Sequence, residues 1–188
     1  MATDPRMVQL FSYYRDAELR GASLLLKLIP RVDDPQAQIN LVQHLADETR
    51  HAWLWTKRIR DIGGEPAKVD DGYQTRIGRA LGIPKTLADL FALTVVVEQR
   101  AHRRYLEHGR RPDVDPETRA VLEEVTKDEK WHIGWIHAKL EEMLEGDRER
   151  VTALLDRYRE ADRQVFAELT AKERETFGFS FSDAPPAG

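Results

Sequence analysis

The chain has 188 residues, enough for one domain with a real core, and 33% charged against 41% hydrophobic side chains is a globular rather than a disordered mix. It has no cysteine, which excludes disulfides, thiolate catalysis, zinc ribbons and cysteine-ligated iron–sulfur clusters; any metal must sit on carboxylate and imidazole. The net charge of -4 argues against a general nucleic-acid binder, the polar start at Asp4, Pro5 and Arg6 does not read as a signal peptide, and the longest apolar runs (24–26 and 93–97) are too short for a membrane span, so a cytoplasmic protein is expected.

Helix starts are marked by three Asp-Pro pairs, Asp4-Pro5, Asp34-Pro35 and Asp115-Pro116, and by Thr86 followed by Asp89. Aspartate or threonine at an N-cap accepts from free backbone N–H groups, and proline loses nothing at the first helical position. Gly63-Gly64 and Gly109 read as stops. Five long helices are predicted, at 5–29, 35–62, 87–108, 116–145 and 148–170, and no segment alternates as a strand. Residues 63–86 are a long connection for a bundle, explained if it travels the length of the bundle; 73–81 fits a short helix within it. The expected organisation is a four-helix bundle over 1–146, with an extra helix and a tail over 147–188 packed on or extending it.

Each of the first four long helices carries an inward stripe at alternating three- and four-residue steps. The stripes run Phe11, Tyr14, Glu18, Gly21, Leu25, Leu28; then Leu41, Leu45, Glu48, Ala52, Trp55, Ile59, Ile62; then Leu87, Phe91, Thr94, Glu98, Ala101, Tyr105; then Leu122, Val125, Glu129, His132, Ile136, Leu140. Every stripe is broken near its middle by one glutamate. A lone buried carboxylate is heavily penalised, and four that converge would also repel one another. No lysine or arginine lies in the stripes, so a pair of di- or trivalent cations is the expected compensation.

The second and fourth long helices repeat a motif: Asp47-Glu48-Thr49-Arg50-His51 and Asp128-Glu129-Lys130-Trp131-His132, both D-E-x-x-H. Residues three apart share a helix face, so Glu and His can reach a common ion. Six histidines would produce about half an E-x-x-H by chance, whereas two occur and both fall on stripes. A lone Glu18 precedes Glu48 by 30 residues and a lone Glu98 precedes Glu129 by 31. Two helix pairs, each giving one Glu and then one E-x-x-H, form the pseudo-twofold set that a two-metal site requires.

These residues resemble the ferritin-like di-iron carboxylate superfamily, whose helices supply Glu, E-x-x-H, Glu and E-x-x-H in that order. Glu18, Glu48, His51, Glu98, Glu129 and His132 fill every position, the likeness covers about residues 5–145, and the long 2–3 connection matches that fold's crossover. The resemblance implies that Glu48 and Glu129 bridge two metals, with Glu18 and His51 completing one ion and Glu98 and His132 the other. It also implies that Asp47 bonds His132 and Asp128 bonds His51, fixing tautomers, with Arg50 balancing the charge around them. The chain is rubrerythrin-like only in part. Rubrerythrins carry an extra glutamate three residues after the third helix's ligand, where this chain has Ala101, and a rubredoxin-like cysteine domain, which it lacks.

The function implied is a non-haem di-iron oxidoreductase that activates dioxygen or peroxide as an oxidase, hydroxylase or peroxidase. The alternatives are ferroxidase and iron storage, which needs a cage, and a bundle whose metal merely stabilises structure or interactions. Two Fe ions are expected, and Mn/Fe or Mn/Mn suit the same ligands. Electrons would come from an external donor protein or from peroxide. The small-molecule substrate is unnamed; a tRNA-modifying hydroxylase, a lipid or natural-product oxygenase and a peroxide scavenger all stay open. The fifth helix, with Val151, Leu154, Leu155, Tyr158 and Val165 on one side, would cover the bundle or make a homodimer contact. His44 and His102, one turn from Glu48 and Glu98, are candidates for the outer shell of the site but read first as edge or exposed residues. Tyr14, Trp53, Trp55, Trp131 and Trp135 read as packing, Thr94 as a side chain able to line an oxygen pocket, and His108 and His137 carry no signal.

Overall fold

The computed structural model describes residues 4–82, 84–177 and 180, and among them every regular element is helical. α1 is Pro5–Leu28, ending in a single 3-10 turn at Ile29–Arg31; α2 is Pro35–Asp61, α3 Tyr73–Leu81, α4 Leu87–Gly109, α5 Pro116–Met143 and α6 Arg148–Phe177. No described helix is long and apolar enough to cross a membrane.

The start signals act as the sequence suggests. Asp4, Asp34 and Asp115 accept the backbone N–H groups of Arg6 (2.9 Å), Ala37 (2.5 Å) and Thr118 (2.9 Å), each with proline in the first turn. Thr86 and Asp89 form a reciprocal capping box at 3.0 Å each way. Gly63, with φ 80, closes α2, and the Gly64 N–H returns to the Ile59 carbonyl at 2.9 Å. Gly109, read as a stop, is the last helical residue of α4. The Arg119 guanidinium donates to its carbonyl and to that of Arg111 at 3.1 Å, so a side chain supplies the terminal partner. α6 outruns the predicted end at 170 because Leu169, Thr170 and Glu173 stay buried on its inner side. Apart from Ser180, the expected tail beyond Phe177 lies outside the described residues.

The chain divides into two compact units, Met1–Gln74 and Thr75–Gly188. In the first, α1 and α2 form an antiparallel hairpin. Trp55 stacks on Phe11 with ring centroids 5.4 Å apart and tilts against Tyr14 at 4.9 Å; Arg15 Nε donates to Thr56 Oγ1 at 2.8 Å. The connection after α2 then runs back along α1. The Ala67 N–H donates to Ser12 Oγ at 2.9 Å, and Gln74 Nε2 donates to the Ala17 carbonyl at 3.0 Å. This accounts for its length within the unit: it seals α1, a task a short turn could not perform.

In the second unit, α4 is buried on two sides. Phe91, Tyr105 and Glu98 face α5, where Leu122, Val125, Ile136 and Leu140 are buried and Trp135 meets the Phe91 ring edge-on at 6.1 Å. α6 packs on α4 in parallel. Arg100 makes a bidentate pair with Asp162 (2.8 and 2.6 Å) and lies 3.9 Å over the Phe166 ring, and Arg104 pairs with Glu173, which also accepts from the Ser180 hydroxyl at 2.6 Å. Tyr158 donates to Asp89 Oδ1 at 2.9 Å; burial and that carboxylate push the phenol up to about 12. Burial works to raise the Asp89 carboxyl, but the bonds from Thr86 and Tyr158 outweigh it and hold it below the usual range. The apolar stripe of this helix packs on α4.

Candidate metal centre

In the first unit, Glu18 on α1 and Glu48 and His51 on α2 are all buried (3%, 3% and 0% exposed). Each brings one ligand atom to within 4.8 Å of the others, and His51 Nδ1 lies 3.4 Å from Glu18 Oε2. Antiparallel pairing explains the meeting: Glu18 faces the level of His51, and Gly21, one turn on, faces Glu48. A Cβ built at Gly21 would lie 2.0 Å from Glu48 Oε2, so only a glycine leaves the carboxylate its place. The sequence places Gly21 in the stripe, and the arrival of Glu48 opposite it supplies the reason.

His44 is a correction. Rather than an edge residue, it is wholly buried, and its Nε2 lies 3.4 Å from Glu48 Oε1. Leu45, placed in the stripe from sequence, is only half-buried. The helix phase contained the signal: at about 100° per residue, His44 lies about 40° from Glu48 around the axis and Leu45 about 60°. Hydropathy favours Leu45, whereas helix phase turns His44 inward.

In the second unit, Glu98 on α4 and Glu129 and His132 on α5 are likewise buried (5%, 1% and 0% exposed). His132 Nδ1 lies 3.6 Å from Glu129 Oε2, and ligand atoms of Glu98 and His132 come within 4.8 Å of each other. All six expected ligands are therefore buried, each set assembled by its own helix pair.

Of the residues expected around them, Arg50 Nη2 contacts Asp47 Oδ1 at 3.3 Å on the half-buried flank of α2, and Asp128 is half-buried on α5. Tyr14 and Trp55 pack as expected, Trp53 is exposed, and the Thr94 hydroxyl donates back into its own helix at the Leu90 carbonyl (2.8 Å). His102 is half-buried. His108, which carried no sequence signal, is buried at the end of α4; burial, then the nearby Arg104 and Arg111, push its imidazole down to about 4.

The donor sets suit a pair of transition-metal ions. Carboxylate oxygen with imidazole nitrogen is the chemistry that iron and manganese accept. Two donors on one ion at about 2.1 Å can be up to about 4.2 Å apart, so atoms already within 4.8 Å need only small side-chain adjustments to share one. Buried anionic carboxylates without a cation would face a desolvation penalty of several kcal/mol each, about the scale of a domain's whole stability.

No family model matches this chain, and no curated protein does. Among solved structures it is similar to a Synechococcus protein described as having aldehyde deformylating oxidase activity. The TM-score is 0.71 at 18% identity, over 92% of this chain and 79% of that one. At that identity the likeness speaks for the fold, which is the ferritin-like helical bundle.

Proposed function

We propose that this protein is a dinuclear non-haem iron oxidoreductase whose metals are held by Glu18, Glu48 and His51 from α1 and α2 and by Glu98, Glu129 and His132 from α4 and α5. The observation that carries this reading is the repeat in burial: each helix pair buries one Glu and one E-x-x-H motif with donor atoms close together. The ferritin-like fold supports it, as does the oxidase activity described for the structurally similar protein. When bound, two such ions supply redox equivalents for the reduction of dioxygen or peroxide.

The chain's own residues define the surroundings. Gly21 gives Glu48 its position against α1, and His44 is placed to hold a proton at Nε2 facing Glu48 Oε1. The Phe11, Tyr14 and Trp55 rings close the adjoining layer of the hairpin and exclude water from it. Asp47 and Asp128 are proposed to orient the ligand histidines by hydrogen bonding, with Arg50 balancing Asp47. Electrons come from an external reductant, and aldehydes are the first small molecules to test, given the activity described for the similar protein.

Metal analysis of protein reconstituted with ferrous iron under nitrogen should give two irons per chain. Admission of air should give a transient optical band, and the oxidised protein should lack the strong low-field resonance of isolated high-spin ferric ions. Glu48→Ala and His132→Ala should each lower metal content and melting temperature together. Wild-type protein that retains no metal and melts like these variants would sink the proposal. Two irons with the isolated-ion resonance would favour separate mononuclear sites instead. Elution as a large cage in size exclusion would favour iron storage.

A further inference from the structure

Between α4 and the first half of α5 lies a cavity of about 410 Å³, within the range of small-molecule pockets, whose lining includes none of the six proposed metal ligands. Its floor is apolar: Tyr105 and Leu122 are almost fully buried, and Leu106 is half-buried beside them. Its rim is cationic. Arg110, Lys127 and Lys130 line it and are exposed, and Arg119 joins them with its guanidinium already committed to backbone carbonyls. Glu123 is the only carboxylate among the lining residues.

Two features separate this rim from an ordinary solvated surface. The chain carries a net charge of -4, and other cations sit beside a carboxylate, as in Lys57–Asp61, Arg111–Asp113, Lys139–Glu142 and Arg163–Glu160. The side chains of Arg110, Lys127 and Lys130 form no ion pair among the described residues. Three unanswered cations around an apolar hollow, in an acidic protein, concentrate positive potential where an apolar body can be buried. Half-buried His102, facing Lys130, adds a polar group at the inner edge.

We infer that this hollow binds a small amphipathic carboxylate, its apolar body against Tyr105, Leu106 and Leu122 and its carboxylate among Arg110, Lys127 and Lys130. A flat or extended acidic protein would use the cations but leave the apolar floor empty. A neutral hydrocarbon would use the floor but leave the cations unanswered. The carboxylate with an apolar body uses both, and the inference does not depend on the metal centre.

The test is calorimetric titration of the full chain at low salt with naphthoate, with naphthalenemethanol and acetate as partial mimics. Naphthoate is expected to saturate one site, and each mimic to bind at least about tenfold more weakly, because each lacks one of the two contributions. The exposed double variant Arg110→Glu/Lys127→Glu should weaken naphthoate by about tenfold or more. Thr126→Trp, which fills the hollow, should abolish binding, while circular dichroism of both variants stays that of the wild type. Absence of saturable naphthoate binding overturns the inference. So does binding that both variants leave unchanged, which would place the ligand elsewhere. Binding of an acidic peptide, lost in the double variant, with no binding of naphthoate would reassign the hollow to a protein partner.

Discussion

The two helix pairs carry the same three ligand types in the same order, yet they are built differently around them. In α1 and α2 the residue three after the lone glutamate is Gly21, and the residue four before the motif glutamate is His44. In α4 and α5 the corresponding residues are Ala101 and Val125, the latter fully buried. The first pair therefore sets a glycine and a second imidazole against Glu48, where the second pair has alanine and a buried valine at the corresponding positions. A third helix, α6, also clamps α4 by buried and half-buried ion pairs. Repetition of ligands thus does not imply repetition of environment: one pair places an imidazole beside its motif glutamate where the other places a valine.

The largest effect should come from breaking the clamp. Arg104→Ala leaves Glu173 buried without its guanidinium and is expected to cost about 3–5 kcal/mol in urea unfolding, whereas exposed Lys57→Ala in the first unit should cost under about 1 kcal/mol. Next is acidity. The His108 imidazole is held down to about 4 in the fold against 6.5 when free. The unfolded chain therefore binds the extra proton between those values. Stability from this group is complete above pH 6.5, is lost as pH falls towards 4, and amounts to about 3 kcal/mol at most. The pH slope of metal-free protein should flatten in His108→Gln, measured as the difference between the two unfolding curves.

A third test separates the two pairs at their ligands. Gly21→Val should displace the Glu48 carboxylate and weaken metal binding by about 100-fold, with only a small change in the melting temperature of the metal-free protein because the displaced atoms end a flexible side chain. Ala101→Val should leave metal affinity nearly intact. Smallest is His44→Leu, expected to reduce metal affinity by about tenfold, while Val125→Leu should not change it. Equal responses in the two pairs would show that the asymmetry has no functional weight.

Much of this was legible without coordinates. Caps are local chemistry, so Asp4, Asp34, Asp115 and the Thr86–Asp89 box could be placed from a few residues each. Glu18, Glu48, Glu98 and Glu129 announced themselves because an acidic residue in an apolar stripe is costly and four repeats of it at matched spacing are hard to obtain by chance. His44 is harder to place because hydropathy points to the adjacent leucine while helix phase points to the histidine. α6 runs past the end its own sequence suggests because its last turns pair with α4 through Arg104 and Glu173, a contact 69 residues apart in sequence.

The sequence by itself determined the helices, their starts, the all-α class and the identity of the six candidate ligands, since these rest on spacing and local capping energetics. Only the tertiary structure decided that Gly21 is the space for a carboxylate, that His44 is a buried neighbour of Glu48 and that α6 covers α4. Each depends on which residue of a distant helix arrives opposite, and packing rather than local preference sets that.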